Sequence, residues 1–395
     1  MSETFRNIII TILLVAIAGC AFFAGYLAND FVEERNARTA FEADQFALFF
    51  EAWDKINENY LGDLPDQEQL TYAAIRGSLQ TLKDPYTVFL EPVVRDDERE
   101  TLRGNFGGIG VSLSRDEAGQ TMLSPTPENP AAEAGVLIGD VLLMVEEVEI
   151  SAEMPLHEIA ELLKGEKGTE VEILILRPDT DEQFEFKIER DDILIPSVVS
   201  RILREDARIG YIKLSRFTGE SGGEIQQAIE SLIEQGATRF ILDLRDNGGG
   251  LLNAAVEVSN NFLAQQVVYH QITRSDGETS EATERETVLP DSPLVVLVNG
   301  GTASSSEIVA GALQDHNRGI LIGQRTFGKG SVQLVYDLSN GSSVHVTWAR
   351  WFTPNRQQLD QNGLTPDIEV VPSDAARENG QDEQLQRAIE QLTSQ

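Results

Sequence analysis

Apolar residues change rhythm several times between the start of the sequence and its end. Residues 8 to 28, IIITILLVAIAGCAFFAGYLA, form an almost unbroken apolar run, about the length of a helix that crosses the hydrocarbon core of a bilayer. From residue 31 to residue 98 apolar side chains recur at spacings of three and four. Phe46, Phe49, Phe50, Trp53, Ile56 and Tyr60 make one stripe, and Leu70, Ala73, Ala74, Leu79 and Leu82 make another. That period predicts amphipathic helices that pack on one another or on a second copy of the chain. Between residues 99 and 190 glycines separate short alternating segments, with Ile109, Val111 and Leu113 pointing one way. A helix-like MPLHEIAELLK stands before the strand EILILRP, so this stretch reads as a small β-rich module. From 191 to 372 the strands become continuously apolar: RFILDLRDNGGG and PLVVLVNGG each run into a glycine cluster, with helices GEIQQAIESLIEQG and LNAAVEVSNNFL around them. Continuous apolar strands alternating with helices predict a parallel sheet covered on both faces. The fold expected is therefore an α/β core with a parallel-rich sheet and helices, an inserted β-rich module, and an N-terminal helical segment. The polar stretch 274 to 291 reads as a surface excursion, and the acidic tail 373 to 395 as a solvated helix.

Charge and cysteine usage narrow the function. The chain has 65 acidic and 31 basic residues, a net charge of −34, which repels phosphate backbones and excludes nucleic acid as a partner. Cys20 is the single cysteine, so no intrachain disulfide forms. His157, His270, His316 and His345 lie far apart, and neither CxxC nor HExxH occurs, so neither a metal nor a cofactor is expected. At the N-terminus, Arg6 before the apolar run and NDFVEE after it favour a cytoplasmic end. Residues 1 to 30 then act as a signal-anchor. AIAGC also resembles a lipobox that would place a lipid on Cys20, although the residues after Cys20 stay apolar. Either way the rest of the chain is expected outside the cytoplasm, tethered to the membrane.

The stretch NGGTASSSEIVAGALQDH offers the first chemistry. Its serines follow a buried strand and open a helix. The plain reading is a capping box, with Ser304 as N-cap and Glu307 three residues later. Two features add to it: Gly300, Gly301 and Ala303 leave the approach open, and a helix N-terminus stabilises negative charge on an attacked carbonyl. A nucleophilic serine needs a base. His316 is one candidate, but along one helix it lies about 18 Å from Ser304. Lys329, between Gly328 and Gly330 and just before a strand, is the other. Gln333, four residues on, shares its side if the chain is extended, and could orient the amine. To act near neutral pH, Lys329 must lose about three pKa units from ~10.4, a shift that burial can supply.

Two resemblances join these pieces. Pro130-Ala131, Ala134-Gly135 and Gly139-Asp140-Val141 resemble the PDZ signature, and the loop Gly107, Gly108, Ile109, Gly110 resembles the carboxylate-binding loop of such domains. Backbone N–H groups there would cup a peptide's terminal carboxylate while the peptide adds as a strand. RGNFGGIGV, LDLRDNGGGLL, LVNGGTASSSEIVAGALQDH, GQRTFGKGSVQ and TPDIEVVP, in that order, resemble the C-terminal processing peptidases, or tail-specific proteases. The resemblance implies Ser304 as nucleophile, Lys329 as general base and Gln333 as its support. It implies an oxyanion hole from the Ser305 amide and from Gly249 or Gly250. The expected partners are proteins or peptides with free C-termini, and a homodimer through the aromatic N-terminal helices. The competing expectation is a membrane-anchored PDZ adaptor with an inactive core.

Overall fold

The computed structural model describes residues 46–394 except Arg285 and Pro290. The apolar run 8 to 28 and Cys20 lie outside the described residues. Among the described residues no helix is long and apolar enough to cross a membrane. The chain divides into two units, Met1–Ala74 and Ile75–Gln395. In the first, residues 46–59 are helical as the stripe predicts. Much of that stripe is exposed, with Phe46, Phe50 and Ile56 open to solvent. The helix Gln67–Gln80 follows and buries Tyr72.

The larger unit is built on a six-stranded sheet. Its order is Val198–Ile202, Ile209–Leu214, Arg239–Asp243, Leu294–Val298, Ile320–Gly323, Ile368–Glu369. The first pair is antiparallel and every later pair is parallel. Alternate residues serve opposite faces. Ile212, Leu214, Phe240, Leu242, Val296 and Val298 pack with Ile225, Ile229, Ala255 and Val309 from the helices Ser221–Glu234, Leu252–Ser259 and Ser305–Asp315. Ile209, Tyr211, Ile241, Val295, Leu297 and Ile322 pack on the other face against Ala388 and Leu392. Burial on both faces is why these strands read as unbroken apolar runs.

The second face corrects the reading of the tail. Helix Glu383–Thr393 is not solvated but is the cover of the sheet's far side. It is held by Arg245, which donates from both terminal nitrogens to the two carboxylate oxygens of Asp382 at 2.8 Å and also bonds the buried Asp243. The polar stretch 274 to 291 contains a strand, Gly277–Ala282, exposed along its whole length and paired antiparallel with Val267–Thr273. These two belong to a further sheet with Ser343–Phe352, Ser331–Asp337 and Val88–Leu90. That sheet carries the chain after Lys329, and its short strand Val88–Leu90 interrupts the stretch expected to be helical.

The β-rich module is an insertion whose ends meet. Strands Asn105–Gly108 and Asp191–Leu194 pair antiparallel, and the Ile195 amide donates to the Gly104 carbonyl at 2.8 Å. Between them lies a sheet of order Val111–Arg115, Thr121–Pro125, Val141–Val145, Glu170–Arg177, Glu182–Glu189. Ile109, Val111 and Leu113 do face its core, with Leu123, Ile159 and Ile173. The short helix Pro130–Ala134 ends at Gly135, which takes the left-handed φ of 96° that favours glycine. Asp140 then caps the turn, accepting the Leu137 amide and a two-pronged bond from Arg177.

Candidate active site

Strand Leu294–Val298 runs out into Asn299, Gly300, Gly301 and Thr302, and helix Ser305–Asp315 begins just beyond. Between them Ser304 adopts φ 56° and ψ −120°. A non-glycine residue held there costs about 1–3 kcal/mol and persists only where its surroundings impose it. Here they do. Thr302 Oγ1 donates to Leu244 O at 2.8 Å, while Ala303 N and Ser306 Oγ both donate to Asn247 O, at 3.0 and 2.8 Å. Ser305 Oγ reaches the carbonyls of Gly250 and Leu251. The serine turn is thereby stitched to the glycine turn that ends strand Arg239–Asp243. The capping box is present, and Glu307 accepts the Ser304 amide at 3.0 Å.

Glu307 does more than cap. Its fully buried carboxylate also accepts the amides of Gly328 at 2.8 Å and Lys329 at 2.9 Å, and the Thr326 hydroxyl. One side chain thus fixes the backbones of both Ser304 and Lys329. Trp351 holds the lysine from the strand side, its Nε1 donating to Lys329 O at 3.0 Å. Among the described residues the Lys329 ammonium has no ion pair, and its Nζ stands 5.3 Å from the centre of the Tyr86 ring. Burial pulls its pKa below the ordinary lysine value, against the opposing pull of Glu98 and Glu307.

Ser304, Ser305, Gly250, Lys329 and Gln333 line one cleft of about 260 Å³, walled by Leu251, Leu252, Ile308, Val332 and Trp351. Gly249 sits just behind it: its amide is engaged by Asn247 Oδ1 at 2.9 Å, and a Cβ there would lie 2.9 Å from Ser304 Cβ. Gln333 reaches the cleft because of a bulge between Val332 and Gln333 that resets the strand's alternation. Its amide donates to Ser331 Oγ at 2.9 Å rather than to the lysine. A hydroxyl at a helix N-terminus that shares a cleft with a desolvated amine is suited to nucleophilic attack on a carbonyl.

Residues 208–370 match the model of peptidase family S41, residues 107–188 that of the PDZ domain, and residues 19–92 that of the activating protease CtpB N-terminal domain. A carboxyl-terminal-processing protease of Synechocystis sp. is 35% identical over 382 residues, covering 90% of this chain and 88% of that protein. This chain belongs to the carboxyl-terminal-processing protease family. A Bartonella bacilliformis member is 34% identical, with 82% of this chain and 75% of that one covered. The carboxy-terminal processing protease CtpA of Bacillus subtilis is 31% identical, with 94% and 78% covered. The activity of the chain is that of a serine-type C-terminal processing peptidase.

In this peptidase His316 lies at the far end of helix Ser305–Asp315, its Nε2 2.7 Å from the Val267 carbonyl, and takes no part in the cleft. His345 does line the cleft, beside Glu98, with Nε2 3.1 Å from the carboxylate. Burial would raise the Glu98 pKa, but His345 and Arg95 outweigh it and hold the carboxyl below its ordinary value. Neither Glu98 nor His345 was marked by local sequence, because helix Pro92–Arg103 and strand Ser343–Phe352 meet only through the fold. Among the described residues no group of three or more His, Cys, Asp or Glu is placed to hold a metal.

The PDZ domain has its own groove, about 70 Å³, between edge strand Val111–Arg115 and helix Leu156–Leu163. Gly108, Ile109 and Gly110 line it, with Leu113 and Lys164. Gly107 does not; it packs against Gly165, whose amide donates to its carbonyl at 3.0 Å.

Proposed function

We propose that Ser304 is the nucleophile and Lys329 the general base of this peptidase. The observation that carries the reading is that a strained serine at a helix N-terminus shares a cleft with a lysine desolvated by burial. Lys329 takes the Ser304 proton as Oγ attacks a peptide carbonyl. The Ser305 amide, at the start of the helix, and the Gly250 amide hold the oxyanion; Gly249 is less suited, since its amide is spent on Asn247. The ammonium then protonates the departing amine, and water releases the acyl-enzyme. Gln333, which lines the same cleft and is held by Ser331 Oγ, supports the base. The PDZ groove receives the free C-terminus of the substrate at Gly108, Ile109 and Gly110, and the peptide extends the sheet at the open side of Val111–Arg115. The apolar run 8 to 28 tethers the enzyme outside the cytoplasm, and the exposed Phe46 and Phe50 stripe supports self-association.

A second reading rests on the Glu98–His345 pair, which could serve Ser304 in the manner of a Ser–His–acid triad. One experiment separates the two, and also the inactive adaptor: digestion of an unstructured protein by the wild type, Ser304→Ala, Lys329→Ala and His345→Ala. The proposal expects Ser304→Ala and Lys329→Ala to lose about 10²–10⁴-fold in kcat/KM, with His345→Ala losing far less. An active Lys329→Ala with an inactive His345→Ala assigns the base to His345. No digestion by the wild type, with free-C-terminal peptide still bound, favours the adaptor.

A further inference from the structure

The ring of Tyr86 is an unassigned neighbour of the reacting amine. Tyr86 lies in the turn Asp84-Pro85-Tyr86-Thr87, ahead of strand Val88–Leu90. The turn is fixed at several points. Asp84 accepts the Tyr86 amide at 3.0 Å and the Thr87 hydroxyl at 2.7 Å, and Thr87 Oγ1 accepts the Thr347 amide at 3.1 Å. The half-buried ring is held with its centre 5.3 Å from Lys329 Nζ. That is within the range over which an aromatic face attracts a cation. Lys329 is among the residues that line the cleft and Tyr86 is not.

We propose that Tyr86 is a positioning residue for the base, its face backing the Lys329 amine and stabilising the ammonium that forms there. The step it serves is the one already described, and the inference rests on the Ser304–Lys329 reading. The proton leaves Ser304 Oγ for Lys329 Nζ as the Oγ–carbon bond forms, and later passes from Nζ to the leaving nitrogen. A base in this place has two conflicting needs. Its resting amine must be neutral, which burial favours; its ammonium must be tolerated once formed, in a cleft walled in part by apolar side chains. Glu98 from helix Pro92–Arg103 and Glu307 from helix Ser305–Asp315 help with their charges. His345 faces the same cleft from strand Ser343–Phe352. Tyr86 contributes through its ring and remains a neutral phenol: burial, Asp360, Glu307 and Asp84 all push its pKa up.

The test is the pH profile of kcat/KM for the full chain on a peptide with a free C-terminus. It compares wild type, Tyr86→Phe, Tyr86→Leu and a graded series of fluorinated phenylalanines at position 86, which keep the ring's shape while draining its face. Tyr86→Phe is expected to leave the acid limb in place. Tyr86→Leu and the most fluorinated ring are expected to move it down by about half to one and a half pH units, with lower kcat and little change in KM. A limb that stays put across the fluorinated series, or moves upward in it, overturns the proposal. Should Tyr86→Leu fail to fold, the fluorinated series alone decides. Lys329→Ala, run alongside, separates the two failures. An active Lys329→Ala that keeps the limb removes the Ser304–Lys329 reading itself; an inactive Lys329→Ala with an unmoved limb in the fluorinated series removes only the role of Tyr86.

Discussion

Replacing Glu307 by glutamine changes the site's geometry without changing its volume. The carboxylate oxygens divide four donors between them: Oε2 accepts from the amides of Ser304 and Lys329, at 3.0 and 2.9 Å. Oε1 accepts from the Gly328 amide, at 2.8 Å, and from the Thr326 hydroxyl. The residue is 0% exposed, so no water can substitute. Whichever oxygen the amide –NH2 replaces, two donors then face a donor. Each such orphaned group costs about 1–3 kcal/mol when buried, so Glu307→Gln is expected to lose about 2–6 kcal/mol, part of it as local loosening. Because those donors belong to the serine turn and the lysine loop, the loss falls on catalysis as well as on stability. A displacement of about 1 Å between reacting groups is worth roughly a hundredfold in rate. The assay pairs urea unfolding with kcat/KM on an unstructured protein. Unfolding free energy within about 0.5 kcal/mol of wild type, together with unchanged kcat/KM, would refute the assignment of Glu307 as the residue joining the two loops.

In Gly249→Ala the new Cβ would stand 2.9 Å from Ser304 Cβ and 3.0 Å from the Ser305 nitrogen, at a φ of 100°. Peptidase activity should drop by about a hundredfold or more, read as kcat. Asp382 ties the C-terminal helix to Arg245; burial opposes its ionised form, but Arg245 and the Leu385 amide prevail and its pKa is lowered. Its contribution to stability is therefore complete above the ordinary carboxyl value of about 3.9 and is lost as pH falls through the lower folded value. Asp382→Asn should be less stable than wild type at neutral pH, and acid unfolding curves should show the gap narrowing below about pH 4. Amidating the C-terminus of a substrate peptide removes the charge that the groove at Gly108–Gly110 would hold. Its KM should rise by about tenfold or more with kcat little changed, measured by initial rates.

Much of this architecture was legible because burial leaves a period in the sequence. LVVLV is buried at every position of its strand, and a strand so placed has no polar face to show. The serine and lysine stood out because glycines flank them, Gly300 and Gly301 before the serine turn and Gly328 and Gly330 around the lysine. Illegible features came from pairings set by the whole fold. Val88 pairs with His345 across the chain, so neither a short strand at residue 88 nor the meeting of Glu98 with His345 leaves a local mark. Strand Gly277–Ala282, exposed at all its residues, shows no apolar alternation for the opposite reason. The C-terminal helix carries a signal in Leu385, Ala388, Ile389 and Leu392, spaced three, one and three apart, but the polar and acidic residues around them mask it. Glu307 was recognisable as a cap; its bonds to the lysine loop depend on the parallel strands that bring residues 304 and 329 together.

The central claim is that Ser304 is nucleophilic because Lys329 takes its proton. The most direct measurement is the rate at which a serine-directed fluorophosphonate modifies the intact enzyme, with the modified residue located by peptide mass spectrometry. The account predicts a single adduct on Ser304 in the wild type, forming faster as pH rises, and its formation slowed by about a hundredfold or more in Lys329→Ala. An adduct on Ser304 that forms at the same rate in Lys329→Ala, or an adduct on another serine, would contradict it.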